Sequence, residues 1–494
     1  VSVHGSDGAA VFIHGAAARP GGCCADRALP TAAPLAVRGT SVQIPLEILS
    51  MALSVPSCWS WFSLVVPLAA LPCAPPAAAQ DSGGGLESRV KSLEEQLREL
   101  KKQPPAAAGA PAPKAGESDL RVFWKDGLRL ESTDGLVKLR LGGRFQVTSL
   151  FGGNDDFESA GKEIEDGAAF RRARLYFQGT VTDRFEFKFQ YDFADTNKVK
   201  IADVWGEVKK IPLVGNARVG QFYEPVSFEQ NTSDFDADFM ERSVMNALSP
   251  ARNIGAALHE TYSGRLAWWL GAFVDDGSGD TATAQRDGDH SVSARVTGLP
   301  IDQDDDKTLL HVGASASIRN PTSGVVTYSA KPESSLAPVF ITTGNLTNVE
   351  GAMLLGGEVA GQLGPIHVAA EYLSSQLDDA ARNDPKFAGW LASAGWFITG
   401  ESFTYNHVDG VFAAPKVGNS FDKADGFGAL ELCARYSELD LTGGTVRGGK
   451  MRDVIVGVNW FLSNNMKVAV DGVNSRVDGI GTVNLLELWF QCTF

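Results

Sequence analysis

The chain has 494 residues, 44% of them hydrophobic, with 53 glycines and a formal net charge of −15. That length allows two or three soluble domains or one large barrel, and the apolar content excludes general disorder. The acidity argues against a nucleic-acid partner, because binding a phosphate backbone takes a basic surface.

Residues 1–50 lack periodicity and scatter Ala, Gly and Pro around Cys23 and Cys24; they read as an unstructured leader, or as an extension ahead of a true start at Met51. Residues 51–79 read as a signal peptide. An apolar core from Trp59 to Leu71 ends in Ala77, Ala78 and Ala79, the small-residue pattern that a signal peptidase cuts, although the usual basic segment is missing. Cleavage is expected after Ala79. The apolar run is too short and too Pro-broken to span about 30 Å of hydrocarbon as a helical anchor. Within 80–103, Leu86, Val90, Leu93, Leu97 and Leu100 are spaced alternately four and three apart, which predicts a short periplasmic coiled coil; a lone amphipathic surface helix is the plainer alternative. Two heptads are marginal alone, so this helix is expected to associate because something else holds several chains together. Residues 104–119, Pro/Ala-rich, form a linker. Of six cysteines, only Cys433 and Cys492 follow the cleavage point, without zinc-type spacing, and neither a metal nor a cofactor is expected.

From 120 to 494 the hydrophobic period changes to two. In "VKLRLGGRFQV" (137–147), Val137, Leu139, Leu141, Phe145 and Val147 oppose Lys138, Arg140, Arg144 and Gln146. "FRRARLYFQGTV" (170–181) sets Ala173, Leu175 and Phe177 against Arg172, Arg174, Tyr176 and Gln178, and "FEFKFQYDF" (185–193) alternates in the same way. Arg171 has the wrong parity for the polar face unless a bulge lies there. Turn signals separate about sixteen such strands. A soluble sandwich would bury the apolar face; a transmembrane antiparallel β-barrel turns it to lipid and lines a wet lumen with the polar one. Export, short turns alternating with long polar connections, and a terminal strand ending on Phe494 favour the all-β barrel in the bacterial outer membrane, with lipid and lipopolysaccharide as its surroundings. A lumen also accommodates arginines that a sandwich core could not solvate.

Together with "VGQFYEPVSFEQNTS", "FMERSVMNALSPARNIG", "ALELCARYSELDL" and "VIVGVNWFLSNNMKV", these stretches resemble the phosphate-selective porins O and P, in order from Gly135 to Phe494. The resemblance implies a sixteen-stranded barrel, a homotrimer, a loop folded into the channel, and a constriction at Arg144, Arg171, Arg172, Asp203 and Arg242, passing small anions such as phosphate or polyphosphate. Arg140 and Arg174 share the predicted inner face and would extend the track. Phosphate is strongly hydrated, and the planar guanidinium fork replaces its water, while a nearby carboxylate keeps binding weak enough for release. The bland alternative is that these arginines pair with Asp or Glu merely to organise the wall.

The connection 224–252 is the expected constricting loop. It carries Asp234, Asp236, Asp238 and Glu241 and no lysine, and Tyr223 stands where the family commonly has a basic residue. Such a loop is expected to repel anions over roughly a Debye length, about 8 Å; as an outer loop it would instead hold Ca²⁺ or lipopolysaccharide counterions. Residues 396–421 resemble the family segment that folds back into the barrel, which would bring Lys416 into the lumen; an ordinary surface loop is the equal alternative. Trp268, Trp269, Trp390, Trp396 and Trp489 are candidates for interfacial girdles. The histidines are isolated in sequence, with no G-x-S-x-G or H-E-x-x-H context, so no enzyme is expected, a lipase being the remotest reading. A nonselective porin, or a structural tether reaching the cell wall through the coiled coil, stays open.

Overall fold

The structure, a computed structural model, describes residues 120–494 apart from 153–160, 196 and 275–288. The leader, signal peptide, coiled-coil helix and linker lie outside the described residues. Eighteen strands form one sheet: β1 (Leu120–Trp124), β2 (Leu128–Ser132), β3 (Val137–Gly152), β4 (Gly167–Val181), β5 (Phe185–Asp192), β6 (Lys200–Ile211), β7 (Gly215–Tyr223), β8 (Arg252–Tyr262), β9 (Leu266–Val274), β10 (His290–Gln303), β11 (Thr308–Asn320), β12 (Gly351–Leu363), β13 (Ile366–Asp378), β14 (Lys386–Phe397), β15 (Ala429–Gly443), β16 (Val446–Ser463), β17 (Met466–Val477) and β18 (Gly481–Thr493). β1 and β2 make a hairpin laid against the start of β3. The other sixteen close into an antiparallel barrel, because β18 pairs with β3 from Leu485↔Gly152 to Thr493↔Arg144.

Closure ends on Phe494, whose backbone exchanges two hydrogen bonds with Gly143, at 2.8 and 2.9 Å. A Cβ at Gly143 would lie 2.3 Å from the Phe494 ring, so any larger residue there forces that ring to move.

The strands bury polar side chains and expose apolar ones. In β17, Lys467, Asp471 and Ser475 are buried while Met466 and Val470 are exposed; in β18, Glu487 and Gln491 are buried while Leu486 and Leu488 are exposed. Leu175, Val296, Val359, Trp390 and Val456 extend the exposed set around the wall. Burying such side chains in an apolar phase is worth about 1.5–3 kcal/mol each, a gain that water around the barrel would forgo and hydrocarbon supplies. No described helix is long and apolar enough to cross a membrane.

One end has short turns, such as 182–184, 263–265 and 464–465; at the other, long connections enter the barrel. The loop 224–251 and the segment 321–350 bring Val226, Phe239, Val244, Met245, Leu248, Phe340 and Ile341 against inward Leu354, Leu373, Leu391, Leu439, Ile455 and Val473. From the short-turn end, a ribbon pairing Phe403–Asn406 with Val411–Pro415 folds inward, and its Phe403, Tyr405 and Phe412 meet Phe228 of the loop. The interior beside β12–β18 is therefore a dry core, where the alternation alone suggests a wholly wet lumen. Among the described residues, two large cavities are lined mainly from β3–β10.

Trp390 and Trp396 face outward. Trp269 and Trp489 do not: both are buried inside, with indole N–H groups donating to Val408 O and Asp471 Oδ2 at 2.9 Å.

Candidate functional site

The loop turns inward at Ser227, whose φ of 76° with ψ of 130° costs a non-glycine residue about 1–3 kcal/mol. Its hydroxyl accepts from Gln230 N, capping the helical turn Phe228–Asn231, while Phe228 N and Glu229 N donate to the Glu371 carboxylate of β13 at 3.1 and 3.0 Å. Wall amides and amines then grip loop carbonyls: Gln146 that of Asp234 (3.1 Å), Gln491 that of Phe235 (2.8 Å), Lys467 that of Ala237 (2.9 Å), Asn459 that of Asp238 (2.7 Å) and Arg435 that of Glu241 (2.8 Å). Buried polar wall residues thus satisfy the stretch 234–241, where the backbone runs between the loop's two short helical turns without helix or strand.

The acidic stretch lies inside the barrel, and opposite charge compensates it. Asp234 receives Arg172 at 3.2 Å, Arg174 at 2.8 Å, and Arg242. Burial works to raise its pKa, but Arg172, Arg242 and Arg174 hold the carboxyl well below the usual range. Glu241 is held low by Arg171 in the same way, also against burial. Asp236 goes the other way: burial raises it despite the attraction of Arg144 and Lys467. The expected repulsive loop is therefore largely neutralised where it crosses.

Arg171 reaches Glu241 through a β-bulge. Gln146 pairs with Arg172 but Val147 pairs with Phe170, leaving Arg171 as the extra residue between them. Phe170 faces out while Arg171 and Arg172 both serve the interior.

On the wet side, a cavity of about 660 Å³ is lined by Arg144, Arg174, Lys188, Lys209, Arg218, Arg252 and Arg295 against Glu186, Asp203, Glu207, Asp234 and Asp409. A second, of about 370 Å³, lies toward the long-loop end and is lined by Arg171, Arg174, Lys200 and Arg252 with Asp192 and Asp195. Arg174 and Arg252 line both. Arg174 pairs with Asp192 and Asp234, each at 2.8 Å. Arg252 pairs with Asp203 at 2.9 Å, donates to Tyr223 Oη at 2.7 Å, and lies 3.8 Å over that ring. Tyr223 thus serves as a shelf for a neighbouring cation. Arg144 stands directly across from Arg174 in the β3–β4 register, its guanidinium 4.7 Å from the Phe235 ring centre and 5.3 Å from that of Tyr176. Its Nε is buried without a hydrogen-bond partner.

The expected residues separate into two groups. Arg144, Arg171, Arg174 and Asp203, which also takes Lys188 at 2.9 Å, line the cavities. Arg172 is fully enclosed between wall and loop, and Arg242 staples the loop to itself by donating to Glu229 O, Gln230 O and Thr232 O. Arg140 lies near the β1–β2 turn, donating to Asp126 O at 2.7 Å. Lys416 does not enter the lumen; it is 76% exposed, 3.6 Å from Asp305. Arg252, Lys188, Arg218 and Arg295 were missed. Lys188 shows in the alternation of β5, whereas Arg252 looked like part of the loop and is the first residue of β8.

A closed barrel with an apolar exterior and a charged, partly obstructed bore defines a membrane channel of the porin class. The model of the family "Phosphate-selective porin O and P" matches residues 140–494, and the chain belongs to that family; it is an outer-membrane porin, a channel for anions. It is similar to Porin O of Pseudomonas aeruginosa, 24% identical over 406 residues that cover 74% of this chain and 89% of the relative. An uncharacterized protein of Caulobacter vibrioides is 26% identical over 81% of this chain and 87% of its own. Among solved structures, an anion-selective porin from Comamonas acidovorans aligns with a TM-score of 0.49 and 10% identity, over 72% of this chain and all of that one.

Proposed function

We propose that small hydrated anions, inorganic phosphate and short polyphosphates among them, diffuse passively along the β3–β10 side and cross a throat formed by Arg174 and Arg252. One observation carries this reading: these two guanidiniums line both cavities. Support comes from Arg144 lying opposite Arg174, since like charges directly opposed on neighbouring strands cost stability and are kept for another reason. Because Arg174 and Arg252 already hold Asp192, Asp234 and Asp203, they offer spare N–H donors instead of bare charge. That suits a site that must bind and release. Arg172 and Arg242 act by fixing Asp234 and the loop. In this reading the short turns and the N-terminal heptad helix face the periplasm, the chain is exported and cut after Ala79, and three copies assemble.

Planar-bilayer reversal potentials in a potassium chloride gradient test the throat. Two unit charges 4 Å apart interact by about 4 kcal/mol at an effective dielectric of 20. Arg174→Ala leaves Asp192 without its arginine, and the anion-to-cation permeability ratio is expected to fall by about tenfold or more. Arg252→Ala should act in the same direction through Asp203. Unchanged ratios in both variants would rule out the arginine throat; a wild-type reversal potential of zero would indicate a nonselective pore, and absent conductance a closed tether.

A further inference from the structure

On the dry side, away from the bore, Asp238 of the loop meets two wall residues. His367 Nε2 of β13 lies 3.2 Å from Glu431 Oε1 of β15 and 3.5 Å from Asp238 Oδ2. His367 is 2% exposed and Glu431 0%, yet neither imidazole nitrogen makes a hydrogen bond, and nor does Glu431 Oε1. Polar atoms buried this deeply are normally satisfied.

We propose that Asp238, His367 and Glu431 bind a divalent transition cation of the zinc class, which fastens the constriction loop to the barrel wall. A tetrahedral ion with N and O ligands at about 2.0–2.2 Å sets neighbouring ligand atoms about 3.3–3.6 Å apart, close to both separations from His367 Nε2, and the three ligand atoms lie within 4.8 Å of one another. A partly open space of about 70 Å³ borders Asp238 and His367, room for a water as fourth ligand. Supporting contacts hold the ligands in place. Asn459 Nδ2 donates to Glu431 Oε2 at 2.8 Å, and the Phe403 ring packs edge-on against the imidazole, 4.8 Å between centroids. Charge points the same way: Asp238, Glu431 and Asp471 surround the single ammonium of Lys467, while nearby Arg435 is taken by Glu229 and Glu333. With a neutral imidazole, a dication balances the remainder.

The test uses the full chain refolded in detergent with Zn²⁺, dialysed into metal-free buffer and assayed for bound zinc by mass spectrometry. The expected result is about one ion per chain, with the heat-induced gel-mobility shift moving to higher temperature than after EDTA treatment. His367→Ala and Glu431→Gln should each lose the ion. His407→Ala should keep it, although His407 lies with Asp302 and Asp306 in a second group of possible ligands. A folded wild-type protein that retains no zinc overturns the proposal and leaves His367 as a charged group between two carboxylates. Retention in folded His367→Ala, or loss confined to His407→Ala, overturns it as well. If the His367 and Glu431 variants fail to fold, the wild-type stoichiometry together with that of His407→Ala still decides.

Discussion

At Asp234 and Asp236, two carboxylates separated by a single residue on the loop behave oppositely because their partners differ. Asp234 sits among Arg172, Arg174 and Arg242, which override the burial that would raise it. Its depressed pKa means that its contribution to stability is complete above the unfolded value of about 3.9 and is lost only as pH falls through the lower folded value. Burial dominates at Asp236 and raises its pKa, so ionising it costs folding stability at neutral pH, and that cost disappears as pH falls through the raised value. Acidification toward the ordinary carboxylate range should therefore neutralise Asp236 first while Asp234 stays charged. Arg144, which Asp236 attracts, then loses an opposing charge, and anion preference measured by reversal potential should rise between pH 7 and 4. Asp236→Asn should show the high preference throughout; a sloping profile in that variant would assign the pH response to another group. None of this could be read from "NTSDFDADFMERS", where both aspartates look like solvated loop residues, because their arginine partners come from strands elsewhere in the chain. Arg171 was half legible: its parity demanded a bulge, and the offset between Gln146 and Val147 supplies one.

Among the elements, the strands were the legible part. Alternation reports which face each side chain takes, and in β3, β4, β17 and β18 the inward and outward sets follow it. The closing contact is equally local in logic: Phe494 seats on Gly143, so Gly143→Val should overpack the seam, cost about 1–3 kcal/mol, and lower the fraction of heat-resistant barrel on gels without changing the strands. The inward ribbon was legible only through family resemblance. Its purpose lies in contacts distant in sequence, such as Arg295 donating to Gly410 O at 2.9 Å and His311 Nδ1 lying 2.7 Å from Tyr405 Oη. Replacing the ribbon residues 403–415 by a short Gly/Ser linker should uncover inward Leu299, Leu309 and Phe461, and raise single-channel conductance by roughly twofold as the open section widens. Unchanged conductance would mean that the ribbon fills space ions never use. The cluster of Asp238, His367 and Glu431 was invisible for the same reason, since three elements contribute one residue each.

Over the whole molecule, charge is divided: the chain carries a net −15, yet both cavities have more basic than acidic side chains on their walls. A net charge of this sign would look hostile to anions, but a sum does not say which charges face the bore. Salt separates the two contributions. The Debye length is about 10 Å at 0.1 M and about 3 Å at 1 M, so concentrated salt screens acidic groups distant from the throat while guanidiniums in contact with a passing ion still donate hydrogen bonds. If selection occurs by contact at Arg174 and Arg252, the permeability ratio at a fixed activity gradient should change by less than about twofold between those concentrations. If it arose from a diffuse field in the mouths, it would collapse toward unity at 1 M, and Arg174→Ala would then matter only in dilute salt. Measuring wild type and Arg174→Ala at both concentrations distinguishes a filter made of two side chains from one made of the whole protein's field.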